Sequence, residues 1–154
     1  MVLGEGGHTK EMVTLADMLG GDLEYGYLIV QDDVVSEAMI RQGGPVYRVL
    51  RPRDKRHCLP IDLLKGLYSG WQSFRALRDF RPQAILSTRP SVAVPVSALA
   101  RLLGIKVIFV ETGSRVTALS TTGRIMYRLA NLFFVQWPGL LERHPRAIYA
   151  GRLF

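Results

Sequence analysis

Met1-Val2-Leu3-Gly4-Glu5-Gly6-Gly7-His8-Thr9-Lys10-Glu11-Met12 opens the chain. An apolar triplet, a glycine turn and then apolar residues returning at three- and four-residue spacing read as a short buried strand running into a helix. Glycines at such a turn let the backbone approach a ligand closely. The free amides of the following helix end present about half a positive charge to an anion. The turn is not a dinucleotide fingerprint, because Thr9 stands where the third glycine of G-x-G-x-x-G belongs. A purely structural reading, in which the glycines only permit a tight strand-to-helix turn, stays open.

The same alternation continues along the chain. Short apolar runs at residues 1–3, 25–30, 46–50, 84–87, 106–110, 132–135 and 147–149 have strand length and are mostly bounded by Gly, Pro or polar residues. Residues 9–19, 33–42, 61–80 and 92–103 carry helical spacing, the last stopping at Gly104; shorter helices are expected after Thr122 and after Pro138. Strand and helix in alternation predict a single α/β domain over residues 1–154: a Rossmann-like, doubly wound, mostly parallel sheet covered on both faces. Ligands bind such sheets at the carboxyl ends of the strands, which points to the loops at 4–9, 88–91 and 111–121. Three residues make a poor central strand, so either the native start lies upstream of Met1 or the fold tolerates a clipped strand.

Composition bounds the function classes. The chain has 154 residues and 48% apolar content, enough for one good core and too little for two ordinary domains. The single cysteine, Cys58, excludes an internal disulfide framework and a cysteine-based metal site, and fits a reducing cytoplasm. Every apolar stretch is interrupted well before the roughly 18 residues needed to span a bilayer, and no signal-peptide pattern opens the chain. The net charge of +7 is uneven: residues 1–40 sum to −7 and residues 41–154 to +14. The second segment is expected to seek anions, whether nucleic acid, an anionic leaflet or a phosphorylated substrate, unless its arginines serve solubility alone.

His8 follows the glycine turn, where an imidazole can accept a proton from an attacking hydroxyl or, when charged, contact a phosphate. Glu11, one turn on, reads equally as a partner of the helix dipole or as a working carboxylate. Thr88-Arg89-Pro90-Ser91 and Glu111-Thr112-Gly113-Ser114-Arg115 follow two later strands. Arg89 and Arg115 are therefore expected to face the crevice of His8 as phosphate-binding guanidiniums, although either alone reads as a solvated loop charge. Arg48, Arg51, Arg53, Lys55 and Arg56, against Asp54 alone, precede a helix rich in Leu, Tyr68 and Trp71. Such a basic loop and apolar helix suit an anionic membrane surface, and the same helix must also supply a core face.

The segments Gly6-Gly7-His8-Thr9-Lys10-Glu11-Met12, Ser91-Val92-Ala93-Val94-Pro95, Val107-Ile108-Phe109-Val110-Glu111-Thr112, Arg115-Val116-Thr117-Ala118-Leu119-Ser120, Val135-Gln136-Trp137-Pro138 and Ala147-Ile148-Tyr149-Ala150-Gly151-Arg152-Leu153, in this order, resemble the oligosaccharide-biosynthesis family of asparagine-linked glycosylation protein fourteen (Alg14-like), whose bacterial members are the PssD-type subunits of exopolysaccharide glycosyltransferases. The resemblance runs nearly end to end. It implies the N-terminal, acceptor-side half of a GT-B enzyme split over two chains. A separate glycosyltransferase subunit (Alg13-like or PssE-type) would bind the UDP-sugar, so this chain needs no cofactor and no metal of its own. The acceptor implied is a polyprenyl-diphosphate-linked sugar.

Carried onto this sequence, the resemblance makes His8 the expected base. Gly6, Gly7, Thr9 and Glu11, with Thr88, Arg89, Glu111, Ser114 and Arg115, become the acceptor and phosphate site. Gln136, Trp137, Tyr149, Arg152, Leu153 and Phe154 become the partner interface, and Arg51, Arg53, Lys55, Arg56 and Trp71 the membrane contact. The family usually has a glycine where Arg89 stands and often Ser at Thr112. Its eukaryotic members carry an N-terminal membrane anchor that this chain lacks, so docking is expected to be peripheral, on the cytoplasmic face, and the chain inactive alone. N-acetylglucosamine, glucuronic acid and galactose all remain open as the transferred sugar. A membrane adaptor that merely recruits and stabilises the catalytic partner is the rival reading. Nucleic-acid binding is disfavoured, because neither helix-turn-helix nor aromatic-sheet patterns are present.

Overall fold

The structure is a computed structural model that describes residues 1–4, 7–51, 59–88 and 92–153, with backbone alone at 59–63. Its elements run α1 (Gly7–Leu19), β1 (Tyr27–Val30), α2 (Val34–Ala38), β2 (Val46–Val49), α3 (Leu59–Phe80), β3 (Ala84–Ser87), α4 (Ala93–Leu102), β4 (Lys106–Val110), α5 (Thr121–Leu129), β5 (Leu132–Val135), a 3-10 turn at Pro138–Leu140 and β6 (Ile148–Tyr149). β1 pairs with β2, and β3, β4, β5 and β6 pair in that order, all parallel. The predicted first strand is reduced to one bridging residue. Val2 bridges Leu28 on one side and Ser87 on the other. The Val2 amide donates to the Leu86 carbonyl and the Leu3 amide to the Leu28 carbonyl, both at 2.9 Å, joining the two groups of strands into one sheet.

Period-two alternation sorts side chains to the two faces. Val2, Leu28, Val30, Ile85, Val107, Phe109 and Phe133 form one core with Ala76 and Leu77 of α3, Val96 and Ala100 of α4 and Met126 of α5. Leu3, Tyr27 and Ile29 face the other way and pack on Met12 and Ala16 of α1. Covering of the second face thins out along the sheet, where Leu86, Ile108 and Phe134 are only half-buried. The centre of the first core is aromatic: Phe109 and Phe133 stack with centroids 5.3 Å apart, and Tyr127 meets Phe133 edge-on at 5.2 Å.

Element ends follow local chemistry. α4 closes with Gly104 at φ +77°, its amide donating to the Arg101 carbonyl and the Ile105 amide to the Ala100 carbonyl, the paired bonds of a Schellman end. α2 is about half its predicted length. Asp33 caps it by accepting from the Ser36 amide at 3.0 Å, and it ends at Met39. After Pro138 the chain makes a single 3-10 turn where a helix was expected.

α3 runs close to its expected bounds and divides small from bulky side chains between its two sides. Its buried side is made of Ser69, Ser73, Ala76 and Leu77, while Leu64, Leu67, Tyr68 and Trp71 stand 68%, 65%, 49% and 53% exposed. The large apolar residues expected beside the basic loop are outside, and smaller side chains with Leu77 supply the core face. Substituting Phe109, which has no solvent exposure, by Ala is expected to cost about 3–5 kcal/mol; a loss under about 1 kcal/mol in urea unfolding would contradict this packing.

Candidate functional site

At the carboxyl end of the sheet, the first turn of α1 faces the loop after β4. Gly7, His8, Lys10 and Glu11 on one side and Thr112, Gly113 and Ser114 on the other line a cleft of about 370 Å³. A larger cavity of about 570 Å³ lies at the amino ends of the strands, between Tyr25, Phe80, Ala84 and Leu86. Parallel sheets bind ligands at the opposite end, where loops feed helix N-termini, so the smaller cleft is the candidate site.

Glu11 organises the cleft. It is only 4% exposed. Its Oε1 accepts from the Gly113 amide (2.8 Å), the Thr112 hydroxyl (3.0 Å) and the Gln136 amide nitrogen (3.2 Å). Its Oε2 has no hydrogen-bond partner among the described residues and lies 3.6 Å from His8 Nδ1. Burial pushes the carboxyl up. The His8 imidazole and the bonds from Gly113 and Thr112 more than offset this and hold it below its ordinary value. The result is a carboxylate ionised at neutral pH with one oxygen fixed and the other turned to an imidazole. His8 itself is about a quarter exposed at the cleft mouth.

Several expected ligands turn out to be scaffold. Thr9 is fully buried and its hydroxyl bonds the Gly4 carbonyl and the Ser36 hydroxyl, tying α1 to α2. Thr88, also fully buried, donates to the His8 carbonyl at 3.2 Å and so seats the first turn of α1. Glu111 has no exposure; its oxygens accept from the Thr112 amide (3.2 Å) and from the Ser120 amide and hydroxyl (3.0 Å each), clamping the loop from behind. Gln136 is 3% exposed and cannot present an interface. Its nitrogen donates to Glu11 and to the Glu111 carbonyl (3.2 Å each), and its oxygen accepts the Leu153 amide at 2.9 Å.

Arg115 closes a tight turn, its amide donating to the Thr112 carbonyl at 3.0 Å, and does not line the cleft. The expected meeting of two arginines with His8 is therefore absent on the Arg115 side, while Arg89 lies outside the described residues. So do Gly6, Arg53, Lys55, Arg56 and Phe154. Ser114 is where it was expected, at the exposed rim. Gly7 lines the cleft too, and the space that a Cβ would enter there is open. Lys10, Thr112 and Gly113 line the cleft without having been singled out as site residues; the signal was their position, two residues past His8 and just past the end of β4.

Around the rim, Trp137 Nε1 donates to the Gly113 carbonyl at 2.6 Å, and the Arg152 guanidinium lies over the Trp137 ring, 4.6 Å from its centroid. Tyr149 stands 42% exposed on β6. Arg48, part of the basic stretch, is taken by Glu37 at 2.6 Å, Arg51 is half-buried, and Trp71 sits in the exposed row of α3, stacked on Tyr68 at 5.9 Å.

A Rossmann-like α/β domain with a helix-end cleft of this kind has the fold of one half of a GT-B glycosyltransferase, and comparison with solved structures agrees. MurG of Acinetobacter baumannii superposes with a TM-score of 0.70 at 19% identity, covering 99% of this chain and 42% of that one. This protein belongs to the family described as oligosaccharide biosynthesis protein Alg14 like, whose family model matches residues 1–153. Its relatives include the UDP-N-acetylglucosamine transferase subunit ALG14 of Rattus norvegicus, 32% identical with 99% of this chain and 81% of the relative covered. The human subunit of the same name is 31% identical over the same shares, and that of Eremothecium gossypii 30% over 98% and 77%.

Because the folded-state pKa of Glu11 lies below its unfolded value, its contribution to stability is present above the unfolded value and is lost as pH falls through the folded one. Glu11→Gln is expected to flatten the acid side of the urea midpoint against pH. An unchanged acid limb would show that the carboxylate is not held as described.

Proposed function

We propose that this chain is the acceptor-holding subunit of a two-chain, inverting glycosyltransferase. In this reading a hydroxyl of a polyprenyl-diphosphate-linked sugar attacks the anomeric carbon of a UDP-sugar held by a partner chain. The observation that carries the reading is the His8–Glu11 pair, 3.6 Å apart at the mouth of the cleft, in a domain spanning less than half of a GT-B chain. Relatives named as UDP-N-acetylglucosamine transferase subunits favour N-acetylglucosamine as the sugar.

The geometry supports the following chemistry. With an ionised Glu11 facing Nδ1, the imidazole keeps its proton there, which leaves Nε2 as the basic nitrogen. Nε2 takes the proton of the acceptor hydroxyl as its oxygen bonds to the anomeric carbon. The bond from that carbon to the diphosphate breaks, and UDP leaves on the partner. Gly7 at the start of α1, Lys10 and Ser114 line the space where the acceptor diphosphate binds, favoured by the helix N-terminus. Fixing hydroxyl and donor in register lowers the barrier by removing the entropy of encounter.

Membrane contact runs through α3. Leu64, Leu67, Tyr68 and Trp71 form an exposed apolar row, Arg75 lies 5.9 Å over the Trp71 ring, and Arg78 continues the row. Apolar side chains that dip into the interface beside cations suit an anionic leaflet. No helix among the described residues is long and apolar enough to cross a membrane.

Two measurements test these statements. In a transfer assay with membranes, labelled UDP-sugars and the partner subunit co-expressed, activity is expected only with both chains present. It is expected to fall about 100-fold or more on His8→Ala while the complex survives. A complex that transfers normally with His8→Ala would leave the chain as an adaptor, and the absence of any complex would remove the reading. For the membrane face, Leu67→Ser with Trp71→Ser is expected to weaken co-sedimentation with phosphatidylserine vesicles at least severalfold while shifting stability by under about 1 kcal/mol. Equal sedimentation of wild type and variant would exclude α3 as the contact.

A further inference from the structure

The C-terminal tail is bonded directly into the cleft. Gln136 stands between them with every polar group of its side chain used. Its nitrogen donates to Glu11 Oε1 and to the Glu111 carbonyl, both at 3.2 Å, and its oxygen accepts the Leu153 amide at 2.9 Å. Two acceptors on one side and a donor on the other leave the amide a single orientation. A second link closes the ring: Trp137 Nε1 holds the Gly113 carbonyl at 2.6 Å, and the Gly113 amide holds Glu11 Oε1 at 2.8 Å. The fit is close, since a Cβ at Gly113 would come within 3.3 Å of Gln136 Oε1 and 3.5 Å of Glu11 Oε1. Arg152 lies over Trp137 from the tail side.

We infer that Gln136 is a positioning residue that couples the seating of the C-terminal tail to the placement of the Glu11 carboxylate, so that a partner chain engaging the tail sets the geometry of the His8–Glu11 pair. This rests on the two-chain reading above. Physically, Glu11 Oε1 has three donors, and Gln136 is the one whose other end is held by a segment outside the sheet. Releasing the Leu153 amide leaves the Gln136 oxygen without its bond and frees the amide to rotate. Oε1 then loses a donor, and Oε2 loses its fixed direction toward His8.

The test uses the reconstituted two-chain enzyme, with Gln136→Met, which keeps the side-chain length and removes both polar ends, Leu153→Pro, which removes the amide that Gln136 accepts, and the double variant. kcat is read at saturating partner, with the KM for the UDP-sugar and the partner affinity measured separately. Each single variant is expected to lower kcat about 10- to 100-fold with the donor KM unchanged. The double variant is expected to fall no further than the worse single, because both substitutions break one chain of contacts. Wild-type kcat in Gln136→Met, or a double loss equal to the product of the single losses, overturns the coupling while the two-chain reading stands. If Gln136→Met fails to fold, Leu153→Pro, placed beyond the last strand, decides alone, and wild-type kcat there overturns the coupling. An inactive wild-type pair removes both the coupling and the reading beneath it.

Discussion

A carboxylate can be buried only where donors meet it, and Glu11 draws its donors from two strand ends. From α1 it reaches Thr112 and Gly113 after β4, and Gln136 at the end of β5. Glu111, buried behind the same loop, holds its start at Thr112 and its far end at Ser120. Gly123 is forced by that second carboxylate: a Cβ there would clash with Glu111 Oε2 and lie 3.0 Å from Ser120 Oγ. Two buried carboxyl groups thus fix the loop of backbone amides and hydroxyls at the mouth of the cleft. This arrangement shapes the candidate cleft at the carboxyl end of the parallel sheet.

The sheet was largely legible because its strands are short apolar runs whose alternate residues must go to opposite faces. Boundaries slipped where tertiary contacts decide them. Residues 1–3 carry a strand's pattern, yet only Val2 finds partners on both sides. Residues 33–42 carry a helical pattern that ends early at Met39. The placement of His8 and Glu11 at the cleft was readable because a strand-to-helix turn has one open side. Thr9, Thr88, Glu111 and Gln136 were misplaced for a shared reason. A polar residue at a strand end can serve a ligand or satisfy its neighbours' backbone, and the difference lies in partners 25 or more residues away for all but Glu111. Lys10 and Gly113 escaped notice because only the folded chain shows which residues of a turn face across a cleft.

In α3 the two roles offered by the sequence, an apolar surface for a membrane and a face for the core, fall to different sides of the helix. Periodicity says that a helix has two faces and is silent on which is inside. Ser69 and Ser73 occupy the inner face with no exposure, the Ser73 hydroxyl bonded back to the Ser69 carbonyl at 2.7 Å. That lets the helix sit close to the sheet and leaves the bulky side chains outward.

The outward apolar row of α3 has a calorimetric consequence. Leu64, Leu67 and Trp71 keep more than half of their surface in water when folded, so unfolding changes their hydration little. The heat-capacity increment of unfolding follows newly exposed apolar area and not apolar content. A chain that is 48% apolar by composition will therefore unfold with a smaller increment, and a flatter dependence of stability on temperature, than that figure alone suggests. The difference measures how much of its hydrophobic surface the domain holds in reserve for something other than its own core.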